Sequence, residues 1–101
     1  MAVADVFKAL GDPTRREILR MLAARGDLSA GEIAAAFAMS KPSISHHLTV
    51  LRHAALVRDR RSGQQVIYAL DTSVLQDVLA WLWAVAERGE TSGQREARTD
   101  G

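Results

Sequence analysis

Apolar residues in the first quarter of the chain recur with helical spacing, between residues that start and stop helices. The first group lies at positions i, i+3, i+4 and i+7 and comprises Val3, Val6, Phe7 and Leu10. Gly11 ends this predicted helix, and Asp12-Pro13 then offers an N-cap followed by a residue suited to the first helical position. The second predicted helix continues to Gly26, and its inward positions are Ile18, Leu19, Leu22 and Ala23. The pattern therefore predicts two short amphipathic helices before residue 27.

The next two periodic segments predict a helix-turn-helix. The first begins at Ser29, which forms a capping box with Glu32, and its inner face comprises Ile33, Ala34 and Phe37. The second begins at Ser40 as N-cap, with Pro42 in its first turn. Its apolar stripe is Ile44, Leu48 and Leu51, and the opposite side presents Pro42, Ser45, His46 and Thr49. Short helical hairpins also occur in proteins that bind no DNA, but hydroxyl and imidazole groups can bond base edges or phosphates. We interpret the second helix as a DNA recognition helix.

A β-hairpin is predicted after the recognition helix, because two runs of strand-forming residues flank a turn at Ser62-Gly63. The second run places Val66, Tyr68 and Leu70 on one face. Basic residues outnumber acidic ones by five to one between residues 41 and 61, a local charge of +4 against +1 for the whole chain. The hairpin residues expected to contact DNA phosphates are Arg58, Arg60, Arg61 and Gln64. The alternative is that these polar side chains only protect an exposed sheet edge or form a solvated face.

The last predicted helix runs from Val74 to about Arg88 and is apolar around most of its circumference. Such a helix needs two partners, which favours a homodimer in which it packs with the first helix of each subunit. The predicted dimer interface comprises Val3, Val6, Phe7, Leu75, Val78, Leu79, Trp81, Leu82 and Val85. The alternative places Trp81 and Trp83 in the core of a single domain. The pattern ends near Gly89, so we expect one domain over residues 1–88 and a disordered tail over residues 89–101.

Single basic side chains on these helices raise the possibility of other chemistry. His46 and His47 are adjacent and diverge around the helix, and His53 is two turns beyond His46, so no pair has the i, i+4 spacing of a helical metal site. We expect His47 to be a partly buried, hydrogen-bonded side chain and His46 to face outward. For Arg15, which borders the inward stripe of the second helix, an ion pair or a contact with a helix end is favoured over DNA contact.

Composition narrows the function classes further. The chain has 101 residues and no cysteine, which excludes disulfides, thiolate metal sites and cysteine nucleophiles. Neither a signal sequence nor an apolar run long enough to span a membrane is recognisable, so we expect a cytoplasmic protein. No catalytic residues and no cofactor are predicted.

Four segments together resemble the ArsR/SmtB-type winged helix-turn-helix repressors: Phe7–Arg16, Ser29–Ala34, Ser40–Leu48 and Leu51–Val57. Ser40–Leu48 is most similar to the SdpR-like autorepressor branch. The resemblance covers residues 6 to about 85 and implies a mainly α (α+β) fold. That fold has about five helices, a two-stranded β-hairpin wing and a homodimer formed through the first and last helices.

Two departures from the family concern metal sensing. Some members place cysteines in the third helix, and this chain has none there. Others bind metals between paired C-terminal helices through histidines and carboxylates, but residues 74–88 contain only Asp77 and Glu87 as candidate ligands. Metal sensing is therefore not expected, and the family's usual inducers cannot be transferred to this chain.

The sequence thus predicts a homodimeric, sequence-specific repressor of double-stranded DNA with an inverted-repeat operator. The recognition-helix residues expected in the major groove are Lys41, Pro42, Ser43, Ser45, His46 and Thr49. The alternative is a winged-helix module that docks another protein through its last helix. A protein partner, a small-molecule inducer and simple autoregulation all remain open as ways of relieving repression.

Overall fold

The computed structural model describes residues 3–100, with side chains through residue 89. These residues form five helices and three short strands. Their order is α1 (Val3–Leu10), α2 (Pro13–Arg25), β1 (Leu28–Ser29), α3 (Ala30–Ala35), α4 (Lys41–His53), β2 (Val57–Ser62), β3 (Gln65–Leu70) and α5 (Ser73–Asp100). The predicted disordered tail, residues 89–101, falls almost wholly outside the residues described with side chains, and the division at residue 88 stays a prediction.

The predicted caps define the helix starts. Asp12 accepts a hydrogen bond from the backbone N–H of Arg15 at 3.1 Å, which lowers the pKa of its carboxyl group. The capping box is complete, because Glu32 N–H donates to Ser29 Oγ at 3.0 Å and Ser29 N–H donates to Glu32 Oε1 at 2.9 Å. Gly26, with φ of +83°, ends α2 by donating its N–H to the carbonyl of Leu22.

The sheet has three strands rather than the predicted two. The hairpin β2–β3 forms as expected, with Gly63 at φ +64° in its turn, but β1 pairs antiparallel with the other side of β3. Only Leu28 and Ser29 belong to β1, and Ser29 also caps α3. Two residues are too few to show strand alternation, so the prediction missed this strand.

The core lies where α1–α4 meet the sheet and the start of α5. The predicted stripes of α2, α3 and α4 supply its centre, and its buried members are Val6, Ala9, Ile18, Leu19, Leu22, Leu28, Ile33, Ile44, Leu48, Leu51, Ala54, Leu56, Val57 and Val78. Ala23 was predicted to face inward but is exposed, because Ile18, Leu19 and Leu22 already fill the buried side of α2. Among the described helices, none combines the length and apolar character that crossing a membrane requires.

Candidate nucleic-acid interface

Helix α4 has one buried face and one exposed face, as predicted. Ile44, Leu48 and Leu51 are each at most 2% exposed and fix the helix on the core. The residues predicted to contact DNA lie on the other side: Lys41, Pro42, Ser43, Ser45 and His46 are exposed, and Thr49 is half-buried. Ser40 caps the helix by accepting from Ser43 N–H at 3.3 Å and donating its hydroxyl to Ser43 Oγ at 2.9 Å. The face that could meet a DNA groove therefore carries mostly short, polar side chains that are accessible.

The two adjacent histidines of α4 have different surroundings, again as predicted. His46 is exposed, whereas only 15% of the His47 side chain is accessible. The Nδ1 atom of His47 lies 3.1 Å from Arg15 Nη1 and 3.8 Å from Asp12 Oδ2. His47 thus belongs to a hydrogen-bonded cluster between helices, and His46 is the histidine available to a ligand.

Arg15 makes the helix-end contact that the sequence favoured over DNA contact. Its Nε donates to the carbonyl of Ala9 at 2.8 Å and its Nη2 donates to the carbonyl of Lys8 at 3.0 Å. These are carbonyls of the last turn of α1, which have no partner within their own helix. A guanidinium at a helix C-terminus is also favoured by the helix dipole.

Most arginines near the hairpin are paired with aspartates of the same chain. Arg60 Nη1 lies 3.0 Å from Asp27 Oδ2, and Arg52 Nη1 lies 3.2 Å from Asp59 Oδ2. Arg58 Nε lies 3.5 Å from Asp71 Oδ2. Within residues 3–89, Arg61 forms no ion pair. Exposed pairs of this kind contribute only about 0–1 kcal/mol, so the paired arginines can exchange their aspartates for phosphates.

Sequence reasoning missed the Asp27–Arg60 pair. Asp27 lies 33 residues before Arg60 and outside the basic segment. The two residues meet because β1 and β2 pair with opposite sides of β3, which brings the residue before β1 close to β2. No local pattern indicates that pairing.

Large apolar side chains on α5, together with Phe7 of α1, remain uncovered in the protomer, and we call this set the α5 surface. It comprises Phe7, Leu79, Trp81, Leu82 and Val85, each between 40% and 63% exposed. Trp83 is more exposed still, at 71%. The two tryptophans are therefore not core residues of a single protomer, which removes that alternative.

Four residues predicted for the dimer interface are not open in the same way. Val6 and Val78 are buried in the protomer's own core, because they occupy the positions of α1 and α5 that face α2–α4. With 1% and 3% of their surface exposed, they offer a second subunit almost no contact area, so we place these two in the core rather than in the proposed interface. Val3 and Leu75 are half-buried.

Comparisons with known proteins agree on the kind of interface this is. A helix-turn-helix domain family matches residues 10–60. The transcriptional repressor SdpR of Bacillus subtilis is 50% identical over 86 residues, which cover 85% of this chain and 94% of SdpR. The chain belongs to the ArsR/SmtB family. The arsenic resistance regulator ArsR1 of Pseudomonas putida is 41% identical over 85 residues, 84% of this chain and 66% of ArsR1.

Solved structures of ArsR-family regulators share the fold. One crystal structure matches with a TM-score of 0.80 and 33% identity, covering 87% of this chain and 90% of its own. An ArsR-like regulator from Rhodococcus sp. RHA1 matches with a TM-score of 0.77 and 31% identity over 96% of this chain and 91% of its own. The resemblance and the winged helix-turn-helix fold predicted from the sequence are confirmed.

Family membership also decides the function class. ArsR-family proteins are DNA-binding transcriptional regulators and not enzymes, so this ArsR-family chain is a transcriptional regulator that binds double-stranded DNA. A module that only docks proteins is not favoured. Dimerisation is typical of the family. Among residues 3–89, no three His, Cys, Asp or Glu side chains come together as a metal site would require.

Proposed function

We propose that the chain is a homodimeric repressor that places one α4 helix in each of two successive major grooves of an inverted-repeat operator. The observation that carries the proposal is the division of α4 into a fully buried apolar face and an exposed polar face. The 50% identity to a named repressor supports the direction of regulation.

The residues proposed to read bases lie along the exposed face of α4. Ser45 and His46 combine short side chains with hydrogen-bonding groups, so they allow the helix backbone to approach base edges. Lys41, at the start of the helix, supplies a positive charge for a phosphate. Pro42, Ser43 and Thr49 complete the proposed contact face.

The β2–β3 hairpin is proposed to contact the DNA backbone beside the groove. Arg61 is exposed and unpaired within the described residues, and Arg58 and Arg60 form their ion pairs through exposed guanidinium groups. Gln64 is exposed at the turn. Phosphate contacts of this kind orient a protein and raise affinity for every sequence alike.

The α5 surface is proposed to form the dimer interface. Several large apolar side chains exposed along one helix mark a protein-contact surface better than isolated ones do, and a closed two-fold dimer would cover Phe7 and Leu82 with copies of the same surface. Two-fold symmetry predicts an inverted-repeat operator, and the dimer would then have to hold its two α4 helices about one turn of DNA, or a multiple of it, apart.

The test begins with selection of DNA fragments that the full chain binds from genomic DNA. A selected fragment and a scrambled version are then titrated at physiological salt. We expect an inverted repeat that is bound about a thousandfold or more tightly than the scrambled DNA. Micromolar binding to both would contradict the proposal and would favour the protein-docking alternative.

A further inference from the structure

Arg15 hydrogen-bonds groups on two other helices at once. Its Nε and Nη2 donate to the carbonyls of Ala9 and Lys8, at the end of α1. Its Nη1 lies 3.1 Å from Nδ1 of His47, on α4. Asp12 holds the backbone of Arg15 by accepting its N–H. A fork of donors thus joins the start of α2 to the end of α1 and to the middle of the recognition helix.

The hydrogen bond between Arg15 and His47 requires one particular tautomer of the imidazole. A guanidinium has only donors and keeps its proton in proteins, so His47 Nδ1 must be the acceptor. A ring that accepts at Nδ1 carries its proton on Nε2. A proton on Nδ1 would face the Arg15 donor and break this contact.

This hydrogen bond restricts the orientation of α4 in a way that the buried apolar stripe of the helix does not. Ile44, Leu48 and Leu51 hold the helix by apolar packing, which is non-directional. The hydrogen bond fixes His47 at one point, and His47 is adjacent to His46 and two residues from Ser45. Their approach to base edges depends on how α4 is rotated on the core.

We propose that Arg15 and His47 are positioning residues for operator recognition: they fix the rotation of α4 relative to α1, without contacting DNA. The proposal rests on the proposed function, because it concerns how well the exposed face of α4 discriminates sequences. It predicts that disturbing the contact lowers specificity more than it lowers general affinity.

The first test compares two amides at position 47 in the full-length protein. Asn places an oxygen near the position of Nδ1, whereas Gln places its amide one carbon further out. We expect His47→Asn to keep the ratio of operator to scrambled-DNA affinity within about twofold of wild type and His47→Gln to lower it by about tenfold. Affinity for scrambled DNA should change little in either variant.

A second comparison tests whether the two residues act through one contact. Arg15→Lys keeps the charge but removes the fork, and it should lower the same ratio. The double variant Arg15→Lys/His47→Gln should then have a ratio no lower than that of the single variant with the larger loss. Equal losses in the Asn and Gln variants, equal losses on operator and scrambled DNA, or additive losses in the double variant would each overturn the proposal.

A spectroscopic measurement on the free protein distinguishes failure of this proposal from failure of the proposed function. The ¹⁵N shifts of the His47 ring should show a proton on Nε2 in wild type, and this preference should weaken in Arg15→Lys. A proton on Nδ1 in wild type overturns the proposal even if the protein binds its operator. If wild type shows no operator preference, the proposed function fails while this measurement still tests the contact.

Discussion

The exposed face of α4 and the α5 surface meet water with opposite chemistry. On α4 the accessible groups include the hydroxyl of Ser45 and the imidazole of His46, which water can hydrogen-bond. On α5 the accessible groups include the indole of Trp81 and the aliphatic side chain of Leu82, 51% and 40% exposed. Exposing such apolar surface is unfavourable. The α4 face is therefore suited to reversible binding, whereas the α5 surface favours a permanent association.

This difference predicts which of the two proposed associations, dimer formation and DNA binding, comes first. The subunits are expected to pair first, and the pair then presents two α4 helices at a fixed separation. Binding of the second helix becomes an intramolecular step once the first is in place. Operator affinity should therefore depend more on the α5 surface than on any single contact made by α4.

The largest expected effect comes from a charge placed on the α5 surface. Leu82→Glu would bury an unpaired carboxylate in the proposed interface, so the dimer should dissociate. Operator affinity should fall by about a hundredfold or more, since the two binding sites are then no longer linked. Sedimentation velocity and operator titration measure the two effects. Gln76→Glu makes the same charge change at an exposed polar position of α5 and should leave both unchanged. A dimeric Leu82→Glu protein would remove the α5 surface from the interface.

The next largest effect is expected at the hairpin. Arg60→Ala/Arg61→Ala should lower affinity for every DNA sequence by about tenfold or more at low salt, because phosphate contacts carry no base information. The salt dependence of binding should flatten by about one unit for each phosphate that the variant no longer binds. Titrations at several salt concentrations measure it, with Arg20→Ala, a paired arginine on α2, as the control. An unchanged salt slope would exclude the hairpin from phosphate binding.

Local features of these two regions could be predicted from the sequence, and long-range ones could not. The two faces of α4 follow from a 3.6-residue period over a dozen residues, and the caps at Asp12 and Ser29 follow from their neighbours. The Arg15–His47 and Arg60–Asp27 contacts join residues 32 and 33 positions apart. They depend on how helices pack and on which strand lies beside β3, and no periodicity encodes either.

The division between Val78 and Leu82 shows a second limit. Both residues fall on the same side of α5, four positions apart, and both were predicted for the dimer interface. Val78 is 3% exposed and Leu82 is 40% exposed. The difference arises because the protomer's core covers only the beginning of α5, and the extent of that cover is a property of the packed domain.

A smaller effect is expected from the polar face of α4. Ser45→Ala or His46→Ala should weaken operator binding by about tenfold and change binding to scrambled DNA little, because a direct base contact discriminates by about 1–3 kcal/mol. Binding to a set of single-base operator variants shows which base pair each residue reads. Thr72→Ala, an exposed position before α5, is the control. A uniform loss over all variants of the operator would argue against base readout by these side chains.

The smallest effect, and one of opposite sign, is expected at Asp27. Its carboxylate holds Arg60 at 3.0 Å and would compete with a phosphate for that guanidinium. Asp27→Asn removes the competing charge, so affinity should rise about two- to threefold on operator and scrambled DNA alike. Glu17→Gln makes the same charge change in the Glu17–Arg20 pair of α2 and should have no such effect. If Asp27→Asn instead weakens binding, the Asp27–Arg60 pair does not compete with phosphate but holds the hairpin in its DNA-binding position.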